Sequence, residues 1–259
     1  MVTYKKILLV GAGNANILAR QLRYYGVYAE AKFPPKFPAL SLFRKFDIIY
    51  GVHLMSLTRH IPFIKLLRKK SLVHIIGSDA FRYSAERGLK SYIWKLTLNM
   101  YDEVLYVSKE VQQLIGLREG RVLPIPIDTR IFRKLKIKGE KRDILYYCPN
   151  PKIYRLDWIL QYAKEHPDKT ITILGYPYLI NLPNVKVIPY WEYEKMPILY
   201  NMHRCLIRMT THDGYPKMPY EALLCGLEVI WNGKKITEVP EEMLMERTIP
   251  KLILILESV

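Results

Sequence analysis

Two acids eight positions apart, Asp213 and Glu221, stand in a stretch built from chain breakers and apolar residues. It reads Asp213-Gly214-Tyr215-Pro216-Lys217-Met218-Pro219, then Tyr220-Glu221-Ala222-Leu223-Leu224-Cys225-Gly226. Residues 204–209 read as a strand and 227–231 as the next one. Between them, residues 216–225 read as a helix, with Pro in its first turn and Gly226 to stop it. Asp213 then falls in the loop at the strand's carboxyl edge, where open α/β sheets bind ligands, and Glu221 lies within two turns of the helix start. The amides of Lys217 and Met218 would face an anion there, with Gly214 and Tyr215 beside them. A carboxylate behind a diphosphate site suits a ribose diol, because one ionised carboxylate accepts from both hydroxyls. The chemistry indicated is that of a nucleotide-sugar.

The segment resembles the donor-site signature of family-4-type retaining glycosyltransferases of the GT-B fold, two acids separated by seven residues, here with Asp in place of the usual first Glu. Residues 193–200 look like the helix that precedes the donor strand in that family. The run Val104-Leu105-Tyr106-Val107-Ser108, followed by Val122-Leu123-Pro124-Ile125-Pro126-Ile127-Asp128, is similar to the passage that closes its N-terminal domain. Asp47-Ile48-Ile49 and Gly77-Ser78-Asp79 match weaker landmarks, so the resemblance spans most of the chain in order.

The resemblance implies a compact version of two Rossmann-like parallel-sheet domains facing a cleft: 1–134 for the acceptor and 135–259 for a nucleotide-sugar donor. It implies hexosyl transfer with retention, no bound cofactor and no metal. The nucleotide-diphosphate sugar, carrying UDP or GDP, would be a co-substrate, and the acceptor a lipid, protein or glycan. Asp213 would sit against the donor sugar and Glu221 on the ribose. The family's diphosphate-binding basic pair falls where this chain has Cys148-Pro149-Asn150-Pro151-Lys152-Ile153-Tyr154-Arg155. Lys152 and Arg155 are the cations available there, although neither the family's Gly nor its spacing is kept.

On the acceptor side the resemblance points to Gly11, Gly13 and Asn14, in a glycine-rich turn after the first strand. The family's His before Gly-Ser-Asp is replaced by Ile76; His74, two residues earlier on the same strand face, is its stand-in or else a satisfied core histidine. Asp79 is an acceptor-side acid or the cap of the next helix. The same Gly11-Ala12-Gly13 turn, with Glu30 about 20 residues on, also fits part of a dinucleotide fingerprint, whose third Gly is Asn16 here. An NAD(P)-dependent oxidoreductase and a GT-B binding protein without turnover are therefore the alternatives.

The elements that would position these groups alternate. Residues 6–10, 27–31, 47–52, 72–76 and 103–107 read as buried strands, with helices over 16–25, 56–70, 84–99 and 108–117. Residues 131–141 have no periodicity and read as a linker. A second series follows: strands over 143–148, 170–174 and 185–188, and helices over 156–165 and 191–202. A short closing helix is expected over 250–257. The alternation implies doubly wound parallel sheets.

The chain of 259 residues is half apolar and carries a net charge of +16. Residues 1–134 hold 23 Lys and Arg against 9 acids, so the excess sits in the first half. An anionic partner is indicated, such as a membrane surface or a phosphorylated acceptor. The sequence carries no nucleic-acid motif to go with that charge. Cys148, Cys205 and Cys225 read as core thiols of a cytoplasmic protein, without metal spacing. No apolar run is long enough to span a bilayer, so membrane contact would be peripheral.

Overall fold

Apolar runs closed by glycine or a polar turn demand strands covered on both faces, and helices must supply the cover. The computed structural model describes residues 5–36, 39–85, 88–116, 119–211, 213 and 215–259, apart from the side chains of Ser78 and Lys90. The chain forms two compact units, Met1–Pro126 with Glu241–Val259, and Ile127–Pro240.

The first unit runs β1 (Ile7–Val10), α1 (Gly13–Tyr24), β2 (Ala29–Lys32), α2 (Leu40–Phe43), β3 (Ile48–Val52), α3 (Ile61–Leu66) and β4 (Lys70–Ile75). It continues through α4 (Gly77–Ala85), α5 (Leu89–Met100), β5 (Glu103–Tyr106), α6 (Lys109–Ile115) and β6 (Arg121–Val122). Its strands lie in the order β2-β1-β3-β4-β5-β6, every neighbour parallel. Every residue of β1 and β3 is buried. Each large apolar side chain so covered contributes about 1.5–3 kcal/mol, which fixes the middle of this sheet.

The second unit runs β7 (Arg142–Tyr147), α7 (Leu156–Glu165), β8 (Ile171–Leu174), β9 (Val185–Ile188) and α8 (Met196–Asn201). After it come β10 (His203–Arg208), α9 (Met218–Leu224), β11 (Glu228–Trp231) and β12 (Lys234–Ile236). The order is β12-β11-β10-β7-β8-β9, parallel except for β12 against β11. Ile144, Tyr146, Ile159, Ile171, Ile173 and Ile207 form its core between sheet and α7. The expected pair of doubly wound α/β sheets is what the chain forms.

Several local expectations need correction. The chain leaves the first unit at Pro126, eight residues before the expected boundary, and Glu241–Val259 returns to it. The returning segment carries α10 (Met245–Ser258), which starts five residues before the expected closing helix and runs through Pro250. Its buried Ile249, Leu252, Ile255 and Leu256 form the apolar stripe, and α10 packs on α1. Lys5 Nζ donates to the carbonyls of Leu256 and Glu257 at the helix end, at 3.4 and 3.1 Å. The helix expected over 84–99 is instead α4 and α5, separated at Gly88, whose φ of 77° no helix contains. Strands β6 and β12, two and three residues long, are too short for any periodicity to announce.

Candidate active site

In a doubly wound sheet the crevice for a ligand opens at the carboxyl edge, where the winding changes direction. In the second unit that point lies between β7 and β10, since β8 and β9 extend one way and β11 the other. The loops after these two strands are tied together by Thr211 N donating to Ile153 O at 2.9 Å. The Tyr146 hydroxyl, which donates to Tyr154 O at 2.7 Å and lies 3.1 Å from Arg155 O, anchors the β7 loop from below.

Arg208, the last residue of β10 and only 4% exposed, occupies this point. Its Nε and Nη2 each lie 2.7 Å from Oδ2 of Asp213. Its guanidinium carbon lies 5.4 and 5.0 Å from the ring centres of Tyr147 and Tyr154. Burial works against the charged guanidinium, but Asp213 outweighs burial and the Arg208 pKa sits above its ordinary value. Sequence reasoning missed Arg208. The signal was there: a cation between Ile207 and Met209, at the end of an apolar strand.

Glu221 lies in the first turn of α9, the helix that follows, and is 3% exposed. Tyr193 donates its hydroxyl to Oε1 at 2.8 Å and Tyr200 donates to Oε2 at 3.3 Å. Lys217 Nζ stands 3.7 Å from Oε1 and 5.0 Å from the Tyr193 ring centre. The sequence places this carboxylate open to a diol; the structure instead has it already holding three partners. Burial pulls the Lys217 ammonium below its ordinary pKa, with Glu221 opposing, and pushes the Tyr200 phenol far up.

The other donor-side expectations fare unevenly. Met218 turns its sulfur to Arg208 Nη1 at 3.7 Å, and Tyr215 is half-buried, its ring 6.2 Å from that of Tyr220. Gly214 lies outside the described residues. Lys152 is exposed in a turn closed by Asn150 Oδ1, which accepts from the amides of Lys152 and Ile153. Arg155 has a left-handed backbone, φ 44°, and is spent on Asp157 at 3.1 Å. The cation buried at the end of β10 is Arg208, one strand away from the loop that carries Lys152 and Arg155.

In the first unit the winding reverses between β1 and β3. Gly11 is needed there, since a Cβ on it would lie 2.7 Å from Val52 O. Gly13 opens α1 in open space, where a Cβ would meet nothing within 4 Å, and Asn14 follows it half-buried. The order β2-β1-β3 differs from the 3-2-1-4-5-6 order of the dinucleotide-binding fold, and Glu30 accepts from the Tyr28 hydroxyl at 2.7 Å.

Of the two readings of His74, the structure has the core histidine and not the acceptor-side group. It is fully buried, with Nδ1 2.8 Å from the Tyr50 hydroxyl and Nε2 2.7 Å from Leu123 O. Its neighbour across the sheet edge, His53, stands instead at the end of β3 with φ 97°, and its Nδ1 is 3.7 Å from Asp79 Oδ2. Asp79 accepts from the amides of Leu54 at 2.6 Å and Ala80 at 3.2 Å, clamping α4 to the turn after β3. Burial raises its pKa to about 7, while burial and then Arg82 lower that of His53 to about 4. Among the described residues no group of three His, Cys, Asp or Glu could hold a metal ion, and no helix is long and apolar enough to cross a membrane.

No protein-family model matches the chain, and no curated protein does either. Solved structures do match. HepE of Anabaena, solved with UDP-glucose, is 13% identical over 98% of this chain and 91% of its own, with a TM-score of 0.66. Sucrose-phosphate synthase from Thermosynechococcus elongatus is 13% identical over 88% of this chain and 81% of its own, at 0.65. A putative UDP-N-acetylglucosamine 2-epimerase from Listeria monocytogenes is 11% identical over 98% and 88%, at 0.56. The fold is therefore GT-B, two Rossmann-like parallel-sheet units in one chain. Identities this low carry the fold and not the reaction.

Proposed function

We propose that the protein is a glycosyltransferase that moves a hexosyl group from a nucleoside-diphosphate sugar to a lipid, protein or glycan hydroxyl, with retention. The observation carrying this reading is the Arg208–Asp213 pair at the switch point of the second sheet, with Glu221 in the first turn of the following helix α9. A guanidinium matches a diphosphate with two parallel hydrogen bonds, so an incoming donor would take over the fork that Asp213 now occupies. Asp213, released, would turn to the sugar hydroxyls.

Glu221 would serve the ribose. A carboxylate has roughly four acceptor directions, and the chain uses three. Lys217, whose buried ammonium has the Tyr193 hydroxyl at 3.4 Å and a carboxylate at 3.7 Å, would gain from a phosphate oxygen nearby. Lys152 and Arg155, on the adjoining loop, are the second source of positive charge. In the transfer the bond from sugar C1 to the diphosphate oxygen breaks and a bond to the acceptor oxygen forms. The acceptor's proton leaves with the diphosphate, and positioning with charge stabilisation supplies the rate. Gly11, Gly13, Asn14 and Asp79 belong to the acceptor side in this reading.

The matches support a nucleotide-sugar ligand, since HepE was solved with UDP-glucose. A thermal-shift panel of UDP, GDP, their glucose derivatives and NADP is the first test, because a ligand of the folded state raises the midpoint by mass action. A shift with a nucleotide sugar, lost in Arg208→Met, supports the reading. A shift with NADP alone would sink it. Product analysis then separates transfer from epimerisation.

A further inference from the structure

The outward face of α5 is as apolar as its inward face. Inward, Trp94 and Leu98 are buried, and Trp94 stacks on Tyr83 at 5.8 Å. Outward, Leu89, Tyr92, Ile93 and Leu96 follow the helical spacing i, i+3, i+4, i+7 and remain 75, 58, 42 and 49% exposed. A surface helix ordinarily turns charged or polar residues to water on that side. Next to it α3, which packs against α5, leaves Leu66 75% exposed. Five large apolar side chains on two adjoining helices thus face solvent.

The charge around them is mainly positive. Residues 48–101 contain nine Lys and Arg against two acids, Asp79 and Glu86. Asp79 is buried, so it does little to offset the surface charge. Lys65 is spent on Asp102 at 2.5 Å, whereas Arg68, Arg82 and Lys95 are exposed. A second copy of the chain would set these cations against their own kind.

We propose that this face of the first unit docks on an anionic lipid bilayer, with α5 lying in the interface. Leu89, Tyr92, Ile93, Leu96 and Leu66 enter the boundary between headgroups and acyl chains. The neighbouring cations meet the lipid phosphates. A convex apolar stripe rimmed by cations is the form that interfacial helices take, and an exposed apolar patch of this kind marks an interaction site. The inference stands on the first unit alone, whether or not the second unit binds a nucleotide sugar.

Co-sedimentation of the full chain with phosphatidylcholine vesicles, with and without about 30% phosphatidylglycerol, tests it. Binding is expected to the anionic vesicles, to weaken with salt, and to be about tenfold weaker on neutral ones. The double variant Tyr92→Ser/Leu96→Ser should keep the wild-type melting temperature and lose about tenfold in anionic-vesicle binding. A control at exposed apolar residues elsewhere, Tyr178→Ser/Leu179→Ser, should bind as wild type does. Failure of the wild type to sediment with anionic vesicles at low salt overturns the proposal, as does undiminished binding by the α5 variant. A concentration-dependent dimer that the same variant dissolves would give the face to a second copy, and also overturns it.

Discussion

Arg208 and Asp213 form a buried ion pair in which two guanidinium nitrogens converge on one carboxylate oxygen, each at 2.7 Å. They stand five positions apart, at the end of β10 and in the segment after it. Removing the acid strands a guanidinium left with two aromatic faces, a thioether and a long contact to the Tyr154 hydroxyl at 3.5 Å. Asp213→Asn should therefore destabilise the chain by about 3 kcal/mol, the lower end for breaking a buried pair. Replacing both, as Arg208→Met with Asp213→Asn, should recover much of that loss. Urea titration of the two single variants and the double variant measures the coupling directly.

Glu221→Gln removes the charge that offsets the buried Lys217 ammonium while keeping an acceptor for one tyrosine. If the ribose uses this carboxylate, affinity for UDP or GDP should fall about tenfold, or ~1.4 kcal/mol, by calorimetry. Unchanged affinity in a variant of wild-type stability would remove the nucleotide from this corner of the unit.

Gly11 and Gly13 look alike in sequence and should behave differently. Gly11→Ala drives a methyl group to 2.7 Å from Val52 O, between β1 and β3. It should cost about 1–3 kcal/mol, the range for an overpacked core. Gly13→Ala meets no neighbour and should stay within about 0.5 kcal/mol of wild type. Melting temperatures of the two variants give the comparison.

Acid should destabilise the fold before most carboxylates titrate. Burial holds His53, His74 and His203 at about 4, below the ordinary 6.5. Their neutral forms are built in: His203 lies 2.7 Å from Leu199 O and 2.8 Å from Thr172 Oγ1. A depressed imidazole contributes stability above pH 6.5 that is lost as pH falls toward about 4. Asp79, raised from 3.8 to about 7, works in the opposite sense: its contribution is complete below 3.8 and lost as pH rises through 7. Stability should thus fall between pH 6.5 and 4, and more steeply in Asp79→Asn. Denaturant midpoints across that window would show a flat profile if the imidazoles were hydrated.

Much of this was legible from residues alone. Unbroken apolar runs such as Ile7–Val10 and Ile48–Val52 have one way to be covered, so the doubly wound sheets followed from them. What stayed hidden was contact between distant positions. His74 and His53 are both histidines near strand ends; only the fold shows that one is sealed by Tyr50 and Leu123 and the other stands at an edge. Arg208 escaped notice because a cation in a strand has no meaning until its acid is placed. Glu221 was recognised, but Tyr193 and Tyr200, 28 and 21 residues upstream, could not be assigned to it by spacing.

The return of α10 to the first sheet has a consequence for biosynthesis. Lys5 reaches the carbonyls of Leu256 and Glu257, so the first unit is stitched by segments made about 250 residues apart. The second unit, continuous from Ile127 to Pro240, is polymerised in full before α10. The unit begun first is thus the one completed last, and until then the apolar flank of α1 waits for its cover.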